Sequence, residues 1–281
     1  MKSGNKKICA MTMARNDDFF LTKWIDYYGS QLGKENLYIF LDGKDQIPPS
    51  NAEGTHIKYC VHLPEPVVQA DKMRVSRLST EAAKLLETYD LVIGTDADEF
   101  LVVDPQTGKS LVEYLSEIKI SPTVSGLGLD VGQKMDEEDA INGNLPFLSQ
   151  RSYALVSSRY TKSVVISKPV RWGSGFHRVK RHNYRIDKNL YLFHFGCVDL
   201  KMVRQRFLDK DRMASGWERH LKKRIKTITI ISKIKALDSE IWLPIARKIQ
   251  TWIRPVYAWN KPTQLHWKLV IKIPERFKSS V

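Results

Sequence analysis

Several absences narrow the field before any motif is read. Only three cysteines occur, Cys9, Cys60 and Cys197, far apart and without a Cys-x-x-Cys pair. That excludes a disulfide scaffold and a cysteine-built zinc module, and reduced thiols of a cytosolic protein are expected. No apolar run approaches the ~18 residues of a membrane-spanning helix. The N-terminal stretch MKSGNKKICAMTMARNDD is basic, but its apolar part is short and soon broken by charge, so no signal peptide is expected. Internal repeats and low-complexity tracts are missing too.

Charge is plentiful but unevenly placed. The net charge is +14 over 281 residues. Residues 1–150 carry 15 Lys and Arg against 23 acids, a balance of −8; residues 151–281 carry 30 against 8, a balance of +22. A basic back half points to an anionic partner, whether nucleic acid, anionic membrane or phosphorylated substrate. With 42% hydrophobic residues the chain can build a substantial core.

The apolar pattern predicts a strand over 7–14, a polar break at 15–18, and an aromatic-faced helix over 19–32 stopped by Gly33. Strands are expected at 37–41 and 56–62, with no regular structure at 64–66, where Pro-Glu-Pro stands. A helix over 71–89 places Val75, Leu78, Ala82, Leu85 and Leu86 on one face. A strand over 90–103, a helix over 111–119 and a strand over 123–130 follow. This alternation predicts an α/β fold with a mostly parallel sheet flanked by helices. Beyond 130 come a polar loop over 131–150, β-rich pieces at 163–167 and 190–195, and a helix over 199–214. From 218 two or three basic amphipathic helices are expected, interrupted at Pro244 and Pro255.

An apolar strand, Leu91 to Thr95, ends in Asp96, Asp98 and Glu99. Acids so close repel one another and call for a balancing cation. Ligands of open α/β sheets sit at the carboxyl ends of strands. An Asp-x-Asp there suits Mn2+ or Mg2+, hard cations that take carboxylate oxygens and can bridge a diphosphate.

The segments MARNDDFFLTKWIDYYGSQLGKENLYIFLDG and DLVIGTDADEFL resemble those of the bacterial glycosyltransferase family 2-like group, well over 10–135 and more loosely over 160–210. The resemblance implies a GT-A-type, Rossmann-like sheet. It also implies transfer of a sugar from a nucleotide-diphosphosugar donor to a glycan or lipid-linked acceptor, in cell-surface polysaccharide or lipopolysaccharide synthesis. On that basis residues 1–215 form the catalytic domain, with a nucleotide-sugar half over 1–135 and an acceptor half over 136–215. Residues 216–281 form a basic helical extension. Asp96 and Asp98 correspond to the metal and donor pair, with Asp98 the direct ligand. Arg15 and Asp42, at strand ends, and Lys72 and Arg74, opening a helix, are placed near the donor. Lys162, His177 and His194 match family positions; Lys162 would face donor phosphate, and a histidine would complete the metal shell, bind a diphosphate oxygen or orient the acceptor. His182 is assigned to the basic surface.

An inverting transfer needs a carboxylate base. Asp130 is the candidate, with the acids at 136–139 as the alternative. No Glu-Asp pair stands where the usual family pattern has one, so inversion and retention both stay open. The segment 241–259, rich in Trp, Ile, Lys and Arg, suits an anionic membrane surface, which would make the protein cytoplasmic and peripheral on the inner face. Nucleic-acid binding is disfavoured by the lack of a recognised motif. A nucleotidyltransferase is disfavoured because Thr12 to Asp17 contains no glycine.

Overall fold

The structure is a computed structural model and describes residues 4–62, 66–254, 259–262 and 267–281. The expected breaks at Pro64 and Pro255 lie outside the described residues. Strand β1 (Ile8–Ala14) is followed by helix α1 (Asp18–Leu32), strands β2 (Leu37–Asp42) and β3 (His56–Cys60), and helix α2 (Val67–Leu85). Next come β4 (Leu91–Gly94), β5 (Glu99–Val103), α3 (Leu111–Glu117), β6 (Thr123–Gly132), α4 (Phe147–Gln150), β7 (Tyr153–Val156) and β8 (Val165–Ile166). The chain continues through β9 (Ile186–Cys197), α5 (Leu200–Gln205), α6 (Lys210–Ala214), α7 (Glu218–Lys233), α8 (Ser239–Trp252) and β10 (Val270–Lys272).

The fold is mixed α/β: a ten-stranded sheet flanked by helices. Its main path runs β10-β7-β6-β8-β4-β1-β2-β3. The ladders joining β3, β2, β1 and β4 are parallel, and β8 runs antiparallel between β4 and β6. Successive side chains of a strand point to opposite faces, and β1 shows this directly. Ile8, Ala10 and Ala14 join the core beneath α1, whereas Cys9, Met11 and Met13 join the core beneath α2.

Helix α1 buries Phe20, Trp24, Tyr27 and Tyr28, the aromatic face that its spacing predicts. It ends at Gly33, whose φ of 84° lies in the region that favours glycine. The aromatics also bind strand backbone: Tyr27 Oη donates to Leu101 O at 2.7 Å, and Leu101 N donates to Tyr28 Oη at 2.9 Å. Trp24 is fully buried and its Nε1 donates to Thr95 Oγ1 at 2.9 Å. Truncating it to alanine would cost about 3–5 kcal/mol.

Two expectations are corrected. The strand expected over 90–103 is two strands, because the chain turns at 95–98 and β5 leaves β4 to pair with β9. The acids therefore stand at a corner between two ladders. Pro244 does not interrupt the chain but lies inside α8. Described parts of 216–281 join the main body: Leu243, Ala246 and Phe277 belong to the core beneath α1, and β10 pairs antiparallel with β7. No helix among the described residues is long and apolar enough to cross a membrane.

Candidate active site

Sheet register builds the centre of the site. His194 on β9 is paired with Glu99 on β5 and, across its other edge, with Asp130 on β6. Directly opposed residues share a face, so Glu99, His194 and Asp130 form one row. The corner at 95–98 adds Asp96 and Asp98. Asp96, Asp98 and Glu99 each present a carboxylate oxygen within 4.8 Å of the others.

Each acid meets a cation. Asp96 accepts from Arg74 at 2.7 Å and from Lys162 at 2.8 Å. Lys162 also reaches Glu99 at 2.5 Å. Asp98 accepts from Arg224 Nη2 at 2.9 Å, and His194 Nε2 lies 3.4 Å from the same oxygen. His194 Nδ1 is 2.7 Å from Asp130. Four carboxylates thus face three fixed cations and one histidine.

Protonation follows from these contacts. Burial alone would push the His194 imidazole down, but Asp98 and Asp130 outweigh it and hold its pKa up at about 9. Burial would raise the Asp98 carboxyl, yet His194 and Arg224 hold it well below the ordinary range. Burial dominates at Glu99, lifting it to about 7 against the pull of Lys162. His177 is pushed down to about 3 by burial and by Lys162, so it is a neutral imidazole.

Of the residues singled out in the sequence, Arg74, Asp96, Asp98, Asp130, Lys162 and His194 come together here. Arg15 lies off the centre, tied to Asp42 O at 2.8 Å and to Asp45 and Asp211 at 3.0 Å each. Asp42 is held by His62 Nδ1 at 2.9 Å. Lys72 is exposed, two residues before Arg74 on α2. Among the described residues two groups of side chains could hold a metal, Asp96 with Asp98 and Glu99, and Asp130 with His194 and Cys197, and His177 belongs to neither.

Two of the residues singled out in the sequence are deeply buried and already engaged. Asp130 is 4% exposed and its Oδ1 lies 2.7 Å from His194 Nδ1. Lys162 is only 3% exposed and its ammonium is taken up by Asp96 and Glu99. Of the acids at 136–139, Glu138 accepts from the backbone N–H groups of Lys134 and Ser152, and Glu137 accepts from Tyr153 Oη.

Other residues were not legible in the sequence. Arg224 occupies the inward stripe of α7, between buried Leu221 and Ile228. A cation at a core position of an amphipathic helix is the signal that would have found it. Arg206 is mostly buried, donates to Asp17 at 2.7 Å and lies over the Phe20 ring. Burial, helped by the nearby Arg224 charge and opposed by Asp17, lowers its pKa to about 10. One guanidinium nitrogen of Arg206 and one of Arg224 are buried without a hydrogen-bond partner among the described residues. Tyr160 stacks on His194 with ring centroids 3.7 Å apart.

The donor set fits a divalent cation. Carboxylate oxygens suit Mn2+ or Mg2+. A carboxylate on one imidazole nitrogen, as Asp130 is on His194, leaves the other nitrogen aimed as a metal ligand. That nitrogen already points at Asp98. Arg224 competes for the same Asp98 oxygen.

No protein-family model and no curated protein matches the chain. Among solved structures it is similar to a mannosyltransferase from Pyrobaculum calidifontis in complex with GDP-Man and Mn2+, at 11% identity and TM-score 0.38, over 92% of this chain and 84% of that one. It is also similar to a mannose-1-phosphate geranyltransferase from Thermus thermophilus, at 10% identity and TM-score 0.30, over 97% of this chain and 76% of that one. Overlaps this shallow assign no activity to the chain.

Proposed function

We propose that the chain is a glycosyltransferase that takes a sugar from a nucleotide-diphosphosugar donor with the help of Mn2+ or Mg2+. One observation carries this reading. At the corner after a parallel strand, Asp96, Asp98 and Glu99 are gathered beside two buried arginines, Arg206 and Arg224, that each hold an unpartnered N–H. Buried guanidinium groups with spare donors suit phosphate oxygens. The motif resemblance and the position at a strand's carboxyl end point the same way.

In this reading Asp98 and His194 would hold the ion, with Asp96 in reach. A bound divalent cation supplies charge stabilisation to the departing diphosphate. Arg206 and Arg224 bind phosphate oxygens. Arg74 and Lys162 fix Asp96, and Asp130 orients His194 rather than acting as the base. Arg15, Asp42 and Lys72 border the nucleotide end, and His177 stands on the rim. The acceptor is a glycan or a lipid-linked sugar. Exposed Trp252 and Ile253 at the end of α8, followed by Arg254, suit contact with an anionic membrane.

Charge balance gives the test. The carboxylates are already matched by protein cations, so a divalent ion alone brings uncompensated charge, and a nucleotide diphosphate brings its counter-charge. Thermal-shift measurements across nucleotide diphosphates, with and without Mn2+, should show a larger rise for one nucleotide plus Mn2+ than for either alone. Phosphorus NMR of a turnover mixture should show nucleoside diphosphate; pyrophosphate would mark a nucleotidyltransferase instead. No shift with any nucleotide, with or without Mn2+, overturns the reading.

A further inference from the structure

A groove of about 1600 Å3 runs along α2 from Lys72 to Ala83 and is walled on its other side by residues 169–182, with Asn260 and Lys261 at its edge. Twelve helical residues span about 18 Å at 1.5 Å each, so the groove is long rather than round. Among the described residues its lining contains Lys72, Arg171, Arg178, Lys180, Arg181 and Lys261, and no Asp or Glu. Elsewhere the chain pairs cations with acids, as Lys58 does with Glu81 and Arg276 with Asp104. Among the described residues none of these six side chains makes an ion pair or a hydrogen bond.

The groove is built, not incidental. Residues 172–179 close on themselves through a Trp172–Val179 bridge and a Gly173 N to Arg178 O hydrogen bond of 2.8 Å. Arg181 is held at a φ of 66°, a conformation non-glycine residues adopt at a cost. Like charges are crowded: burial lowers the Lys261 ammonium, and Arg178 lowers it further. Crowded cations that have no ion-pair partner among the described residues, in a concave lining, raise the local potential and call for an anion.

The groove adjoins the carboxylate centre. His177 lines it, and the field on His177 includes both Lys162 and Asp96. Phe176, next in the chain, lies beneath the Arg74 guanidinium at 5.4 Å. An occupant would therefore end beside the site proposed for transfer. Single-stranded nucleic acid is disfavoured, because such sites offer exposed aromatic platforms for bases. Trp172 is 3% exposed and its Nε1 is taken by Ser163 O at 2.8 Å. A flat membrane does not enter a groove. The hydroxyls of Ser76 and Ser174 and the cations suit a chain bearing both hydroxyl and carboxylate groups.

From this arrangement we infer that the groove seats an acidic glycan, a chain of uronate-bearing sugars. Only its naming as acceptor rests on the transferase reading. The test is direct binding of a size-defined oligogalacturonate to the full chain, followed by calorimetry. A neutral maltooligosaccharide of equal length, a single-stranded oligouridylate and phosphatidylglycerol vesicles are run beside it. The uronate chain should bind and its affinity should fall with salt. The Arg178→Glu/Lys180→Glu double variant should bind it roughly tenfold or more weakly, with an unchanged melting temperature. Equal binding of the neutral chain, tighter binding of oligouridylate or vesicles, or an affinity untouched by the reversal overturns the inference. So does no binding by a protein that still shows the nucleotide-dependent thermal shift. Binding without that shift leaves the groove standing and removes the transferase reading.

Discussion

Arg224 and Asp98, 126 residues apart in the chain, meet at 2.9 Å with both side chains nearly buried. One comes from the acidic front of the sequence and the other from the basic back. A buried pair of this kind leaves an uncompensated charge when one member is removed, at a cost of about 3–5 kcal/mol. Arg224→Met should lower stability by that order in urea unfolding. Asp98→Asn added to it should recover part of the loss, because the stranded carboxylate is gone. Additive losses in the double-mutant cycle would mean that the pair is not coupled.

Gly128 on β6 is a second point of dependence. A Cβ there would lie 2.2 Å from Tyr160 C and 2.3 Å from Thr161 N, both backbone atoms. The close approach brings Tyr160 onto His194 and Lys162 between Asp96 and Glu99. Gly128→Ala should destabilise by about 1–3 kcal/mol, the range of overpacked cores. It should also weaken nucleotide binding more than an equally destabilising change elsewhere in the core. Wild-type melting and binding would show that the turn can move away without cost.

The His177 imidazole is held at about 3 in the fold, against an ordinary value of 6.5. A base depressed in the folded state contributes stability that is present above the unfolded pKa and lost as pH falls toward the folded one. In metal-free protein, melting temperature should therefore drop between about pH 6.5 and 3 more steeply than in His177→Asn, which does not titrate. Parallel pH profiles of the two proteins would place the acid sensitivity in other groups.

All three cysteines are buried and free. Burial pushes the Cys9 thiol up to about 12 and raises that of Cys197 as well. Since the thiolate is the reactive form, native protein at pH 8 should resist iodoacetamide at both positions. In denaturant all three should be alkylated, as read by peptide mass spectrometry. Rapid native labelling of Cys9 or Cys197 would contradict the packing of β1 or β9.

The sequence carried local information well. Periodicity alone located β1, α1, β2, α2 and the stop at Gly33, because two- and four-residue spacings decide which side chains share a face. It also marked the acids at 96–99, since a charge cluster ending an apolar run is visible without any partner. The turn between β4 and β5 was hidden because both halves are apolar and only pairing with β9 separates them. Pro244 misled because a proline's effect depends on the helix around it. The row of Glu99, His194 and Asp130 is a product of register between three strands, and no spacing within one segment specifies register with another.

The two charged halves make the same point. Sequence by itself determined that the front is acidic, that the back is basic, and that carboxylates stand at a strand's end. Tertiary structure decided which cations answer them: Arg224 inward from α7, Lys162 from the turn held by Gly128, and His194 by ladder register. It also decided which cations have no ion-pair partner among the described residues, at Lys72 on α2 and along residues 169–182. The reason is physical. Net charge is a sum over the chain, whereas Coulomb energy depends on separation and burial, and both are set by packing between residues far apart in sequence.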